Sequence, residues 1–227
     1  MPLKSVSAFI RFLQIHKYEV LLLALVQHLF IGIFLTDMPH YTRSVWWINM
    51  LVLGVASIGV FAERGRWRNL VRDLLCIPVI GLPLTISAWW HIPEFMMATN
   101  ITYCLFFAFI FVEVFRFLLR PSYINVDIIS AAACGYFLLI EISVFGLQLY
   151  FYDDPNSFKG VSNSDPASTF IDLVYFCSIT LTSIGFGDIT PNNHHTKLIA
   201  AFIGIAGQFY SVILVGIVIS KFAAQQE

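Results

Sequence analysis

Charge is what this sequence has least of. Only 12% of its 227 residues are Asp, Glu, Lys or Arg, against 58% hydrophobic, and the mean hydropathy is +0.78. Such a composition excludes an ordinary water-soluble globular domain. The 13 basic and 14 acidic residues leave a formal net charge of −1, so the basic excess that nucleic-acid binding demands is missing. Cysteine is sparse as well. Cys76, Cys104, Cys134 and Cys177 stand alone in apolar runs, with no CxxC pair or Cys/His cluster, which argues against a disulfide framework or a zinc site and leaves them as packing residues. The first apolar run ends in Thr36-Asp37-Met38-Pro39 without a small-residue cleavage site. It therefore reads as a retained helix and not a signal peptide, although Lys4, Arg11 and Lys17 precede it.

What the chain does have is length in its apolar runs. A helix needs about 20 apolar residues to cross a hydrocarbon core about 30 Å thick. Runs at about 19–36, 45–62, 70–90, 95–119, 124–151 and 196–223 read as six transmembrane helices. The third is the weakest, because Asp73, Pro78, Gly81 and Pro83 interrupt it and neighbouring groups must satisfy the freed carbonyls. With a cytoplasmic amino terminus, ten of the 13 basic residues fall on inner ends and loops: Lys4, Arg11, Lys17, Arg64, Arg66, Arg68, Arg72, Arg116, Arg120 and Lys221. Only Arg43, Lys159 and Lys197 remain outside. This bias predicts a multi-pass protein of the plasma or bacterial inner membrane with both termini cytoplasmic, which an even number of crossings satisfies.

Residues 152–195 are the polar part of the chain. After a turn-rich loop carrying Asp153-Asp154-Pro155 and Asp165-Pro166, residues 168–182 turn apolar again, with Ser168 as the expected cap and Asp172 in the early turns. About 15 residues are too few to cross. The segment reads as a helix that enters the membrane partway and must be buried in protein or line water. Ser183-Ile184-Gly185-Phe186-Gly187-Asp188 follows it. Glycines at alternate positions adopt backbone angles closed to other residues, which lets successive carbonyls face one side. Four such segments around an axis would build rings of oxygens able to replace the hydration shell of a monovalent cation, assisted by the negative end of the short helix.

The string TSIGFGD at 182–188, held between a re-entrant helix and a long final helix, resembles the T-x-G-Y/F-G-D signature of potassium channels. The likeness covers about 124–223, and the six-helix layout is similar to that of the voltage-gated-like superfamily. It implies an all-α integral membrane protein: a sensor-like region at 1–120 and a pore region at 121–227, assembled as a homotetrameric channel in the lipid bilayer. It further implies K+ as the permeant ion with no other cofactor, bound at Ser183, Ile184, Gly185 and Phe186, with Gly187 completing the filter and Asp188 at the outer mouth. Thr182, Asp172, Tyr175 and Glu141 become filter supports. Gly207, about two dozen residues beyond the first filter residue, becomes the gating hinge, with close helix packing as its alternative reading. Ser183, Ile184 and Phe186 replace the commoner Thr, Val and Tyr, and Tyr175 and Phe176 stand where many relatives carry two tryptophans.

A voltage sensor repeats Arg or Lys every third position along its fourth helix, each charge worth about 2.3 kcal/mol per 100 mV. Here only Arg116 and Arg120 are basic, both at the inner end, so steep voltage gating is not expected. The stretch from Lys221 to Glu227 is too short for a ligand-sensing domain, which leaves gating to the membrane domain, the filter, lipid or an accessory subunit. Glu113 sits three residues before Arg116 and is expected to pair with it. Glu141, midway along the fifth helix, either braces the re-entrant helix or makes a plain interhelical contact. His194 and His195 are read as solvated loop residues or proton-sensitive groups at the outer mouth. Two other readings remain: a nonselective cation pore, and an intramembrane aspartyl protease, for which Gly185-Phe186-Gly187-Asp188 and Tyr152-Asp153 would supply the two carboxylates.

Overall fold

The computed structural model describes residues 11–34, 37, 40–61, 66–119 and 126–223. Lys4, Thr36, Met38, Pro39, Arg64, Arg120 and the 120/121 boundary lie outside them, as do the side chains of Arg66, Arg68, Arg72 and Lys221. Helices α1 (Lys17–Phe30) and α2 (Trp46–Phe61) are followed by α3 (Arg66–Gly81), α4 (Pro83–Trp89), α5 (Pro93–Leu118) and α6 (Val126–Asp153). The short α7 (Pro166–Leu181) and the long α8 (His194–Ala223) complete the series. A 3-10 turn, Ile31–Phe34, extends α1, and a π-helical turn, Tyr41–Val45, leads into α2. Between α6 and α8 the strands β1 (Phe158–Lys159) and β2 (Thr190–Pro191) pair antiparallel, Phe158 opposite Pro191 and Lys159 opposite Thr190.

Five segments among the described residues are long and apolar enough to cross a bilayer: Lys17–Phe34, Tyr41–Phe61, Pro93–Leu118, Val126–Asp153 and His194–Ile217. The third expected crossing is instead broken in two. Pro78 lies inside α3, and Pro83, without an N–H, opens α4 after a turn at Leu82. The break is mild, because Leu82 keeps right-handed helical angles and donates to the Pro78 carbonyl at 2.8 Å. The Leu82 carbonyl in turn accepts from the Thr85 amide at 3.0 Å and its hydroxyl at 2.9 Å.

One continuous apolar core joins the two regions. Helix α6 packs against α5 and α1, and α7 lies between α6 and α8. Trp46 of α2 meets Phe170 of α7 edge-on at 4.9 Å between ring centres, and Phe145 of α6 stacks on Phe107 of α5 at 5.6 Å. Close helix crossings use glycine. A side chain at Gly135 of α6 would collide with the Tyr210 ring of α8, whose hydroxyl donates to the Ala132 carbonyl at 2.7 Å.

Candidate functional site

The site begins with the short helix. Its cap is Asp165, not the expected Ser168: the Asp165 carboxylate accepts from the amides of Ala167 (2.9 Å) and Ser168 (3.0 Å) and from the Ser168 hydroxyl (2.7 Å). Pro166 at the first helical position needs no N–H partner there, so the helix starts three residues earlier than a Ser168 cap implies. Asp172 does not reach the filter. It accepts from the Ser162 amide at 2.7 Å and fastens the loop before α7 to that helix. At the other end Thr182 closes the helix, its hydroxyl donating to the Ser178 carbonyl at 2.7 Å.

Beyond Thr182 the backbone alternates in hand. Ser183, Gly185 and Gly187 have φ of 61°, 59° and 81°, while Ile184 and Phe186 stay on the negative side. Alternation between left- and right-handed angles turns successive peptide planes so that their carbonyls gather on one face. The amides face the other way: Ser183 donates to the Thr180 carbonyl at 3.1 Å, and Ile184 and Gly185 both donate to Ile179, at 2.8 and 3.2 Å. Ser183 is the only non-glycine at positive φ among the described residues. Carbonyl oxygens on this open face are hard neutral ligands suited to an alkali cation. Residues 182–188 are all exposed in the single chain.

Asp188 closes the segment under two restraints. The Tyr175 hydroxyl of α7 lies 2.7 and 2.9 Å from its two carboxylate oxygens and donates to them. This hydroxyl holds the Asp188 carboxyl below the ordinary aspartate range. Behind it, Gly160 at φ +86° packs so closely that a Cβ would sit 2.6 Å from the Asp188 carbonyl oxygen. Thr196 ties the start of α8 to the same loop, its hydroxyl donating to the Ser157 carbonyl at 3.0 Å.

The other expected supports are placed differently. Glu141 is fully buried, and its partner is His28 of α1, with Nδ1 to Oε1 at 2.7 Å. It makes an interhelical contact with no direct bond to α7, although the His28 ring lies 5.0 Å from that of Phe170. Gly207 is in an unbroken stretch of α8, where a Cβ would stand 2.9 Å from the Leu181 carbonyl oxygen, so its visible role is close approach to the end of α7. Glu113 pairs with Arg116 at 2.8 Å, as the spacing predicts. His194 and His195 are exposed in the first turn of α8. Asp153 and Asp188, the carboxylates a protease would need, are exposed at a helix end and a loop and do not sit within apolar helices.

Two residues escaped the sequence reading. His28 is an ionisable group in an apolar run, the signal that did flag Glu141. Gln208 is a lone amide in the final helix; its Nε2 donates to the Ser183 hydroxyl oxygen at 2.6 Å.

Residues 137–224 match the family described as "Ion channel", a family of channels and not of enzymes. The chain is 36% identical over 90 residues to two pore potassium channel a of Oryza sativa subsp. japonica, a match covering 39% of this chain and 23% of that protein. It is 43% identical over 82 residues to two-pore potassium channel 2 of Arabidopsis thaliana, covering 36% of this chain and 17% of the relative. Two-pore potassium channel 5 of Arabidopsis thaliana is 32% identical over 100 residues, covering 44% of this chain and 22% of the relative. The chain thus spans under a quarter of the length of these curated relatives. No solved structure matches it. The five apolar helices and the matched family support a multi-pass membrane protein whose residues 137–224 are similar to an ion-channel family.

Proposed function

We propose that this chain is a subunit of a potassium-selective channel that conducts K+ passively through the backbone of residues 183–187. The observation that carries the reading is the alternating hand at Ser183, Gly185 and Gly187, with the Ile184 and Gly185 amides bonded back to the Ile179 carbonyl. K+ is coordinated by oxygens of Ser183, Ile184, Gly185 and Phe186, Gly187 completes the strand, and Asp188 sits at the outer mouth. The relatives are named potassium channels, which favours K+ as the ion.

Backbone oxygens at membrane depth cannot face lipid and must line water or be covered by protein. The exposed segment 183–187, and exposed apolar side chains such as Phe202 and Phe209 on α8, therefore call for further subunits around them. The relatives' names specify two pores, whereas this chain carries a single TSIGFGD, so four copies around one axis is the assembly proposed. The split α3–α4 segment serves as the sixth crossing and keeps both termini on the cytoplasmic side of the cell membrane. Arg116, tied to Glu113 on its own helix, is not a gating charge, and steep voltage dependence is absent. Tyr175, Thr182 and the Gly207 contact with Leu181 hold the filter, Asp172 holds the loop beside it, and Glu141 acts on the filter only through His28 and Phe170.

Ion flux into liposomes holding the purified protein tests this. Barium-sensitive flux down a K+ gradient, and none down an equal Na+ gradient, is the expected result. Equal flux of both ions would replace the reading by a nonselective pore, and absence of flux from an assembled tetramer would overturn it.

A further inference from the structure

The final helix reaches the candidate filter through one polar side chain. Gln208 follows Gly207, the residue that seats α8 against Leu181, and its amide extends to the Ser183 hydroxyl oxygen at 2.6 Å. Around it the exposed face of α8 is apolar, with Phe202, Ile205, Phe209 and Val212. A primary amide on a membrane helix is costly without a partner, and here the partner is the first filter residue. The backbone of Ser183 is already fixed by its left-handed angle and its bond to Thr180. Gln208 fixes the side chain as well.

A hydroxyl oxygen has two lone pairs. With Nε2 as donor, one is taken by an N–H whose positive end then lies beside the oxygen that would face a cation. Conduction needs sites that bind ions well enough to admit them and weakly enough to release them. We propose that Gln208 is a positioning residue that engages the Ser183 hydroxyl, weakens the innermost cation site and so shortens the time an ion dwells there. The inference rests on the filter reading above and adds to it a residue outside the filter string that tunes one site.

Barium, a divalent ion close to potassium in size, is the probe. It is titrated calorimetrically into the purified protein in detergent, which requires no open pore, while K+ flux is measured in parallel. Gln208→Ala is expected to bind barium about five- to tenfold more tightly, the effect of releasing roughly one hydrogen bond. Gln208→Leu, which keeps the bulk, should behave alike and stands in if the smaller residue impairs folding. In a Ser183→Ala background, Gln208→Ala should change barium affinity less than twofold. Unchanged or weaker binding in both Gln208 variants, or the same effect with and without the Ser183 hydroxyl, overturns the proposal. A wild type that binds no barium removes the cation site and the inference with it. A wild type that binds barium but passes no K+ refutes conduction alone, and the Gln208 comparison is then decided on affinity.

Discussion

The two halves of the molecule are built by different means. From α1 to α5 the helices cohere through apolar and aromatic packing, with Phe61 on Phe109 at 4.9 Å and Gly59 set against the Leu13 backbone. From the end of α6 to the start of α8 the chain is instead held by directed hydrogen bonds: Asp165 on the α7 amides, Asp172 on Ser162, Tyr175 on Asp188, Thr196 on Ser157. Packing tolerates small shifts of helix against helix, whereas a ring of coordinating oxygens depends on the position and direction of each carbonyl. The directional bonds are concentrated where the backbone itself is the proposed ligand. Polar contacts also join the first half to the second, His28 to Glu141 at 2.7 Å and the Cys134 thiol to the Tyr18 carbonyl at 3.2 Å.

The sharpest test of this contrast lies in the filter. Replacing Gly187 by Ala, or Gly185 by Ala, puts a Cβ at φ 81° or 59°, where only the backbone and not a neighbouring side chain objects. Flux is expected to fall to background in either variant while the purified protein keeps its helical circular dichroism; retained flux would sink the assignment of 183–187 as the conduction path.

Next in size is the junction. Glu141→Ala leaves His28 buried without its partner and is expected to lower stability in detergent by about 3 kcal/mol, read as a drop in thermal midpoint. Glu141→Gln, which keeps a hydrogen-bonding group there, should lose clearly less. If the Gln variant unfolds as readily as the Ala one, the contact depends on charge rather than on hydrogen bonding.

A smaller effect is expected from Tyr175→Phe. The bond from Tyr175 depresses the Asp188 carboxyl, so its contribution is complete above the ordinary aspartate value of about 3.9 and is lost as pH falls through the lower value in the folded protein. Without the hydroxyl the carboxylate takes up its proton at a higher pH. Acidifying the outer side should therefore reduce K+ flux in the Phe variant at a higher pH than in the wild type. Coincident pH profiles would mean that the bond does not govern the charge at the mouth.

The least change is expected from Arg116→Gln. Arg116 pairs with Glu113 one turn away, and among the described residues of α5 it is the only Arg or Lys. The conductance–voltage relation should not move. A shift of more than a few millivolts per unit charge removed would make the first half a working sensor and erase the contrast between the halves.

Much of this was legible in the residue string because it depends on local properties. Hydropathy over about 20 residues set the membrane class and the long helices. The 15-residue length of the apolar stretch before TSIGFGD marked it as too short to cross, and the two glycines marked positions of left-handed backbone. Even the Asp165 cap had its signal in the Asp165-Pro166 pair, and the prolines at 78 and 83 announced the broken third segment.

Only the tertiary structure decided which side chains meet. His28 and Glu141 are 113 positions apart, Gln208 and Ser183 25, and Tyr175 and Asp188 13. Whether such pairs form depends on the rotation of each helix about its axis and on how closely the helices cross, which Gly135 and Gly207 set by their lack of a side chain. The positive φ of Ser183 is of the same kind: nothing in a serine asks for it, and it accompanies the anchoring of its own amide to Thr180 and of the next two amides to Ile179. Sequence determined that a glycine-bearing backbone with left-handed positions follows a short apolar helix, because glycine conformation and helix length are local. Its bracing by Gln208, Tyr175 and the close seat of α8 came from packing, because those contacts exist only after the helices have docked.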